Sequence, residues 1–175
     1  MKSIVRVATY VCLFTAAISV SSCRNDRSSA PSYTYGTVIS FAQGGGSEPY
    51  RMFGWSKTES MFTWTEGQSA GLAMTVPPVA GAVSLRMRLG ALTQPPNLPV
   101  QPVSVEINDQ KVGEWEVGQT ADFTAAVPTA LTGKGGTLAI KLTIPKATSP
   151  KALGLGNDER MLGVSCHEVQ LVKTS

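Results

Sequence analysis

The sequence is poor in the residues that build metal centres and disulfide scaffolds. Its 175 residues include one histidine and three cysteines, which argues against a multi-histidine zinc site and against a disulfide-stapled fold. Charged residues make up only 15% of the chain, and the net charge is +3, so the basic patch that a nucleic-acid partner requires is not indicated. Hydrophobic residues still account for 42%. The composition therefore predicts a folded domain rather than a disordered chain.

The uncharged run near the N-terminus, residues 7–22, is too short and too rich in serine and threonine for a comfortable membrane span, which needs about 20 apolar residues. Lys2 and Arg6 precede an uncharged stretch, residues 7–22, that ends in small residues. This pattern predicts a secretory signal peptide at residues 1–22. The segment Val20-Ser21-Ser22-Cys23 then resembles the bacterial lipobox. The resemblance implies cleavage before Cys23 and acylation of its thiol, with palmitate or similar chains that hold the protein on a lipid bilayer.

Residues 23–34 are polar and small without periodicity, and we interpret them as the lipidated cysteine and a flexible tether. In lipoproteins of Gram-negative bacteria, Asp after the lipidated cysteine favours retention at the inner membrane. Arg24 occupies that position here, which favours the outer membrane. We therefore expect a lipid-anchored protein of the bacterial cell envelope that faces the periplasm.

From residue 35 to residue 175 the hydrophobic pattern has a period of two. Three segments alternate clearly between apolar and polar residues, which predicts strands with one buried and one solvated face: 83–89, 103–107 and 138–144. Six weaker segments and the turn residues Asn108-Asp109-Gln110 complete the pattern. Together they predict an all-β fold, an antiparallel, jelly-roll-like β-sandwich of about nine strands. We expect Trp64 and Trp115 in its core.

Sequence motifs of catalysis are incomplete in this chain. Residues 163–167 begin like a nucleophile elbow, but His167 replaces the final glycine and no helix is predicted to follow. Cys166 reads as a small buried hydrophobe rather than a nucleophile. Glu114 and Glu116 share one face of a predicted strand about 6–7 Å apart, which is close to glycosidase separations but is also usual for a solvated strand face. We therefore predict a protein that is not an enzyme, and a hydrolase built on these carboxylates is the catalytic alternative.

Two segments carry a resemblance to a known domain. The first contains Gly54, Trp55, Ser56, Glu59, Trp64, Thr65, Gly67 and Ala70, and the second contains Pro145, Ser149, Pro150, Leu153, Gly154, Gly156, Asn157, Asp158, Arg160, Leu162 and Gly163. In order and spacing they resemble the C-terminal β-sandwich domain of bacterial phosphoglycerol transferases that modify periplasmic glucans. Similar domains accompany some membrane polysaccharide glycosyltransferases. The resemblance covers about residues 35–172 and implies a carbohydrate-associated module without transferase activity.

Five residues of these segments are candidate ligand-binding residues: Trp55, Glu59, Asn157, Asp158 and Arg160. A tryptophan in a Gly/Ser-rich loop can stack on a sugar ring with its N–H free to donate, or it can pack on the end of the sandwich. Arg160 can form a two-bonded pair with a carboxylate, and we expect Glu59 as its partner. Such a pair can pin a loop or bind sugar hydroxyls. No cofactor is predicted, and a structural calcium ion is not favoured because residues 157 and 158 offer too few oxygen ligands.

These observations leave two principal functional hypotheses. The first is a non-catalytic envelope lipoprotein whose β-sandwich binds a glycan. The alternative is a protein-interaction subunit that docks on an envelope glycosyltransferase or a polysaccharide secretion complex. The predicted partners are therefore the bilayer, through acylated Cys23, and either an envelope glycan or a membrane glycosyltransferase complex.

Overall fold

The computed structural model describes residues 30–174, and these residues form a β-sandwich. Ten strands follow one another along the chain: β1 Ile39–Ser40, β2 Arg51–Phe53, β3 Thr63–Glu66, β4 Ser69–Val76, β5 Ala82–Ala91, β6 Gln101–Ile107, β7 Gln110–Val117, β8 Ala121–Val127, β9 Gly136–Thr143 and β10 Leu162–Thr174. A 3₁₀ turn at Glu48–Tyr50 precedes β2, and a one-turn helix, α1, spans Thr129–Thr132. Among the described residues, no helix is long and apolar enough to cross a membrane.

The strands pair only in antiparallel fashion within two five-stranded sheets. Sheet I has the order β1-β10-β5-β8, and β3 also pairs with β10. Sheet II has the order β2-β4-β9-β6-β7. The all-β class and the antiparallel sandwich predicted from the sequence are thus confirmed.

The core lies between the two sheets and follows the alternation of the sequence. Along β5, Val83, Leu85, Met87 and Leu89 are each at most 1% exposed, whereas Arg86 and Arg88 point to solvent. A fully buried side chain of this size contributes roughly 1.5–3 kcal/mol relative to its exposed state. The remaining alternating segments, in β6 and β9, show the same pattern. These three strands anchor the register of both sheets.

The predicted hairpin turn after β6 is also confirmed. Asn108 and Asp109 have positive φ angles of 49° and 63°, as a two-residue hairpin loop requires. The Asn108 side chain bonds to β9 on both of its polar atoms, since its amide nitrogen donates to Thr137 O and its oxygen accepts from Ala139 N.

The two predictions for tryptophans of the core have opposite outcomes. Trp115 lies in the core at 9% exposure, and its indole N–H donates to Thr124 O at 3.2 Å. The prediction for Trp64 is wrong, because its neighbours Thr63 and Thr65 are the buried residues of β3. The buried Thr63 hydroxyl donates a hydrogen bond to a backbone carbonyl, and the buried Thr65 hydroxyl accepts one from Val164 N. The strand can therefore bury its threonines and leave Trp64 on the outer face.

The predicted tether, residues 23–34, is too long at its C-terminal end. Pro31 O accepts a hydrogen bond from Thr75 N, and Tyr33 N donates to Thr75 O, each at 2.8 Å. The Tyr33 ring is 3% exposed, and its hydroxyl accepts from Leu171 N at 2.9 Å. The packed chain therefore includes these residues beside the end of β4. The predicted signal peptide, Cys23 and the start of the tether lie outside the described residues.

Candidate functional site

Three of the five candidate ligand residues meet at one end of the sandwich. Arg160 Nη2 lies 2.6 Å from Asp158 Oδ2 and 3.7 Å from Glu59 Oε1, and Arg160 Nε also donates to Asp158. Glu59 thus lies at ion-pair distance from Arg160 as predicted, but the two-bonded partner of Arg160 is Asp158 and not Glu59, because Asp158 is only two residues away on the same loop. The Glu59–Arg160 contact joins the loop before β3 to the long loop before β10.

This cluster contains one guanidinium and two carboxylates, so it keeps a net negative charge. The Arg160 guanidinium bonded to Asp158 lowers the pKa of that carboxyl, and the same contact raises the pKa of Arg160. Asp158 Oδ1 also accepts from Arg160 N at 2.9 Å, which closes a turn of the Asx type. The cluster therefore pins the two loops together, while its edges remain partly exposed.

Trp55 differs from the free loop side chain that sugar stacking would require. Its indole N–H donates to Gly71 O at 2.8 Å, and its ring centroid lies 4.9 Å from that of Phe41, which is fully buried. Gly54 makes this packing possible, because its φ is +72° and a Cβ there would lie 1.9 Å from Ser69 O. Of the two alternatives for Trp55, the structure shows packing on the end of the sandwich, and the start of β4 offers the indole N–H a carbonyl.

Asn157 is exposed in the loop next to Asp158. Among residues 30–174, no group of three or more histidine, cysteine, aspartate or glutamate side chains is placed to hold a metal ion. Cys166 is fully buried in the core, and burial raises the pKa of its thiol well above the ordinary value, which is unfavourable for a nucleophile. A binding role for Asn157 and for the Glu59–Asp158–Arg160 cluster stays a prediction.

A second site lies on the outer face of sheet II, where the two glutamates singled out in the sequence project. Glu114 is paired in register with Ser104, and Glu116 with Pro102, across β7 and β6. Ser104 is also paired with Thr143 of β9. These side chains, together with Pro145, surround a cleft of about 340 Å³, which we call the carboxylate cleft: Pro102, Ser104, Glu114, Glu116, Thr143 and Pro145.

The carboxylate cleft combines three kinds of group within one open depression. The two glutamates are exposed acceptors, and Glu114 forms an ion pair with Lys111. The hydroxyls of Ser104 and Thr143 can donate or accept hydrogen bonds. The proline rings add apolar surface beside them. Of these residues the sequence analysis singled out only Glu114 and Glu116. Outward positions on β6 and β9 were readable from their alternation, and the hairpin turn after β6 indicated that β7 lies beside it, but the adjacency of β9 to β6 was not readable.

Comparisons with known proteins give similarity in structure alone. No family model matches the sequence, and no curated protein matches it. The predicted resemblance to the phosphoglycerol transferase domain therefore stays a prediction.

Several solved structures of β-sandwich modules are similar to this chain. The CBM36-1 domain of a multidomain xylanase from the hindgut metagenome of Trinervitermes trinervoides has 11% identity and a TM-score of 0.48, with 79% of this chain and 98% of that chain covered. The C-terminal CBM6 of a marine laminarinase from Zobellia galactanivorans has 10% identity and a TM-score of 0.47, with coverages of 78% and 98%. A family 35 carbohydrate-binding module from an environmental isolate has 16% identity and a TM-score of 0.42, with coverages of 85% and 90%. At these identities and TM-scores, the similarities assign neither a ligand nor a binding site to this chain.

Proposed function

We propose that this chain is a non-catalytic, glycan-binding β-sandwich module of the bacterial cell envelope. The carboxylate cleft is the observation that carries the proposal. Carboxylate oxygens accept hydrogen bonds from hydroxyl groups, and such charge-assisted bonds are the stronger class. The hydroxyls of Ser104 and Thr143 supply both donors and acceptors, and the rings of Pro102 and Pro145 offer apolar contact to the C–H surface of a sugar.

The exposure of the two glutamates argues for binding rather than hydrolysis. A glycosidase requires one carboxyl with a raised pKa, which burial in an apolar pocket usually provides. Glu114 has 71% side-chain exposure and an ion pair with Lys111, and Glu116 is also exposed. We therefore expect no release of reducing ends when the protein is incubated with a glycan that it binds.

Isothermal titration calorimetry with the full chain in detergent tests the proposal. The titrants are soluble β-glucan, xylan and galactomannan, which are uncharged, and polygalacturonate, which is anionic. Heat of binding with at least one of them is the expected result. No binding to any of these polymers would overturn the proposal.

Two substitutions in the carboxylate cleft and two matched controls locate the binding site. A hydrogen bond to a charged group contributes roughly 1.5–3 kcal/mol, so Glu116→Gln should weaken binding by about tenfold or more. Ser104→Tyr should fill the cleft and abolish binding. The controls Glu168→Gln and Ser84→Tyr make the same changes on the outer face of sheet I. Equal losses in the controls and in the cleft variants would contradict binding at the cleft.

We also propose, from the leader sequence, that acylated Cys23 anchors this module to a bilayer, with the outer membrane favoured. The lipobox-like motif at residues 20–23 supports this assignment. Sucrose-gradient fractionation of the two membranes tests the location. Recovery in the cytosolic fraction would contradict it.

One observation favours the alternative of a protein-interaction subunit. The two loops joined by the Glu59–Arg160 pair carry exposed apolar side chains, with Met61 68%, Leu155 49% and Met161 43% exposed. Apolar side chains, methionine among them, are enriched at protein interfaces. Crosslinking in membranes followed by affinity purification should recover a stoichiometric protein partner if this alternative is correct. The same partner should be lost with Met61→Ser and Met161→Ser and retained with the cleft variant Glu116→Gln.

A further inference from the structure

A second depression lies on the same outer face of sheet II, nearer its other edge. It has a volume of about 350 Å³, and we call it the Phe53 recess after the edge residue that forms its wall. Phe53 is 48% exposed, and its ring packs over Gly71 of β4, where an added Cβ would lie 2.4 Å from Phe53 Cε1. The glycine thus leaves room for an aromatic ring against the sheet, and the ring stays half-exposed. Ala139 of β9 also lines the recess.

The strand register connects the Phe53 recess to the carboxylate cleft. Phe53, Gly71, Lys141 and Glu106 are partners in one row across β2, β4, β9 and β6. The next row on the same face contains Ser69, Thr143, Ser104 and Glu114. Lys141 lines the recess and Thr143 lines the cleft, two residues apart on β9. The two depressions are therefore neighbours on one surface.

The length of this surface suits an extended ligand. From β2 to β7 the face crosses four interstrand spacings, which is about 19 Å. An aromatic ring stands near one edge and two carboxylates near the other, while small side chains, hydroxyls and the Lys141–Glu106 ion pair lie between them. A single sugar could occupy only one of the two depressions.

The charges on the face favour an uncharged ligand. Lys141 Nζ lies 3.1 Å from Glu106 Oε2, and Lys111 is paired with Glu114. Lys141 and Lys111 are thus already compensated. Glu116 has no ion-pair partner among the described residues. An anionic polymer would meet this uncompensated carboxylate, whereas hydroxyl groups can donate to it.

We propose that the carboxylate cleft and the Phe53 recess form one groove for an extended, uncharged polysaccharide chain that lies across the strands of sheet II. This inference rests on the proposed glycan-binding function. It adds the form of the ligand, a chain bound along its length, and the positions at which it is held. The ring of Phe53 contacts the flat C–H face of one sugar, and the glutamates accept hydrogen bonds from the hydroxyls of another.

The experiment compares short and long ligands on variants that block each depression. The probes are the uncharged polymer that the full chain binds and its disaccharide and hexasaccharide, titrated by calorimetry. Ala139→Tyr places a ring in the Phe53 recess at an exposed strand position, and Ala126→Tyr is its matched control on the outer face of sheet I. The wild-type chain should bind the hexasaccharide at least about tenfold more tightly than the disaccharide. Ala139→Tyr should remove that gain, whereas Ala126→Tyr should change neither the hexasaccharide affinity nor the disaccharide affinity.

The outcomes separate this inference from the function on which it rests. Hexasaccharide binding that is lost in Ser104→Tyr but unchanged in Ala139→Tyr would overturn the continuous groove and leave glycan binding intact. Tighter binding of polygalacturonate than of the uncharged polymers would overturn the charge preference. Absence of binding to every polymer would overturn both proposals.

Discussion

Trp55 provides the sharpest test of whether the structure distinguishes a packing residue from a binding residue. In Trp55→Phe, the ring against Phe41 is largely kept, but Gly71 O loses the donor that lies 2.8 Å away. Loss of a hydrogen bond that leaves a partly buried acceptor unpaired costs about 1–3 kcal/mol. In Trp55→Ala, the packing is lost as well, and truncation of a large aromatic residue costs about 3–5 kcal/mol when the residue is fully buried. Trp55 is only partly buried, so we expect the lower part of that range.

Thermal unfolding of the full chain followed by circular dichroism, with tryptophan fluorescence as a second probe, measures these losses. For a domain of about 150 residues, each kcal/mol lowers Tm by roughly 2–4 °C. Trp55→Phe should therefore lower Tm by several degrees, and Trp55→Ala by about twice as much or more. Both variants should keep the wild-type glycan affinity below their unfolding transitions. Trp64→Phe is the matched control, because Trp64 is half-buried on the outer face of sheet I. An unchanged Tm in Trp55→Phe, together with weakened glycan binding, would refute the packing role.

Three further predictions concern other parts of the chain. Because its paired state lowers the pKa of Asp158, this carboxylate stabilises the fold above its unfolded pKa of about 3.9 and loses that contribution as the pH falls through the lower folded value. Asp158→Asn should therefore lower Tm at pH 7, and the difference in Tm between wild type and variant should shrink as the pH falls through that range. Identical Tm–pH curves for the two proteins would contradict this. Gly54→Ala should destabilise strongly, by more than about 2 kcal/mol, because its Cβ would collide with Ser69 O; full stability in urea would show that the loop can relax. Cys23→Ser should abolish metabolic labelling with palmitate that wild type shows, and labelling that persists would place the acyl group elsewhere.

The predictability of the fold differs from that of the site for physical reasons. Strands β5, β6 and β9 alternate strictly, so their buried faces can be read from the sequence. Strand β2, Arg51–Phe53, was not predicted, because three residues at a sheet edge carry no alternation and depend on pairing with β4. Trp64 was wrongly predicted in the core, because Thr63 and Thr65 occupy the buried positions of β3 and satisfy their hydroxyls with hydrogen bonds.

The candidate site shows the same limit. The contact between Glu59 and Arg160 was predictable, because a guanidinium needs a carboxylate partner and the two residues belong to the two segments that together resemble one known domain. The carboxylate cleft was not predictable as a whole, because it brings together Ser104, Glu114 and Thr143 from three strands. The order of these strands in the sheet cannot be read from their alternation. Periodicity indicates which way a side chain points. It does not indicate which strand lies beside it.

The attachment of residues 30–33 beside Thr75 has a consequence for how the module would stand on a membrane. Thr75 is near the C-terminal end of β4, whereas Ser69, which is in register with Thr143 of the cleft, begins that strand. Seven residue steps from Cys23 to Ala30 can reach at most about 25 Å. An acyl group on Cys23 would therefore keep Ala30 within about 25 Å of the bilayer surface, at the end of β4 that lies roughly 20 Å from the carboxylate cleft. The anchor would then attach at the end of sheet II opposite the cleft, which leaves the cleft open to long polymers in the aqueous compartment.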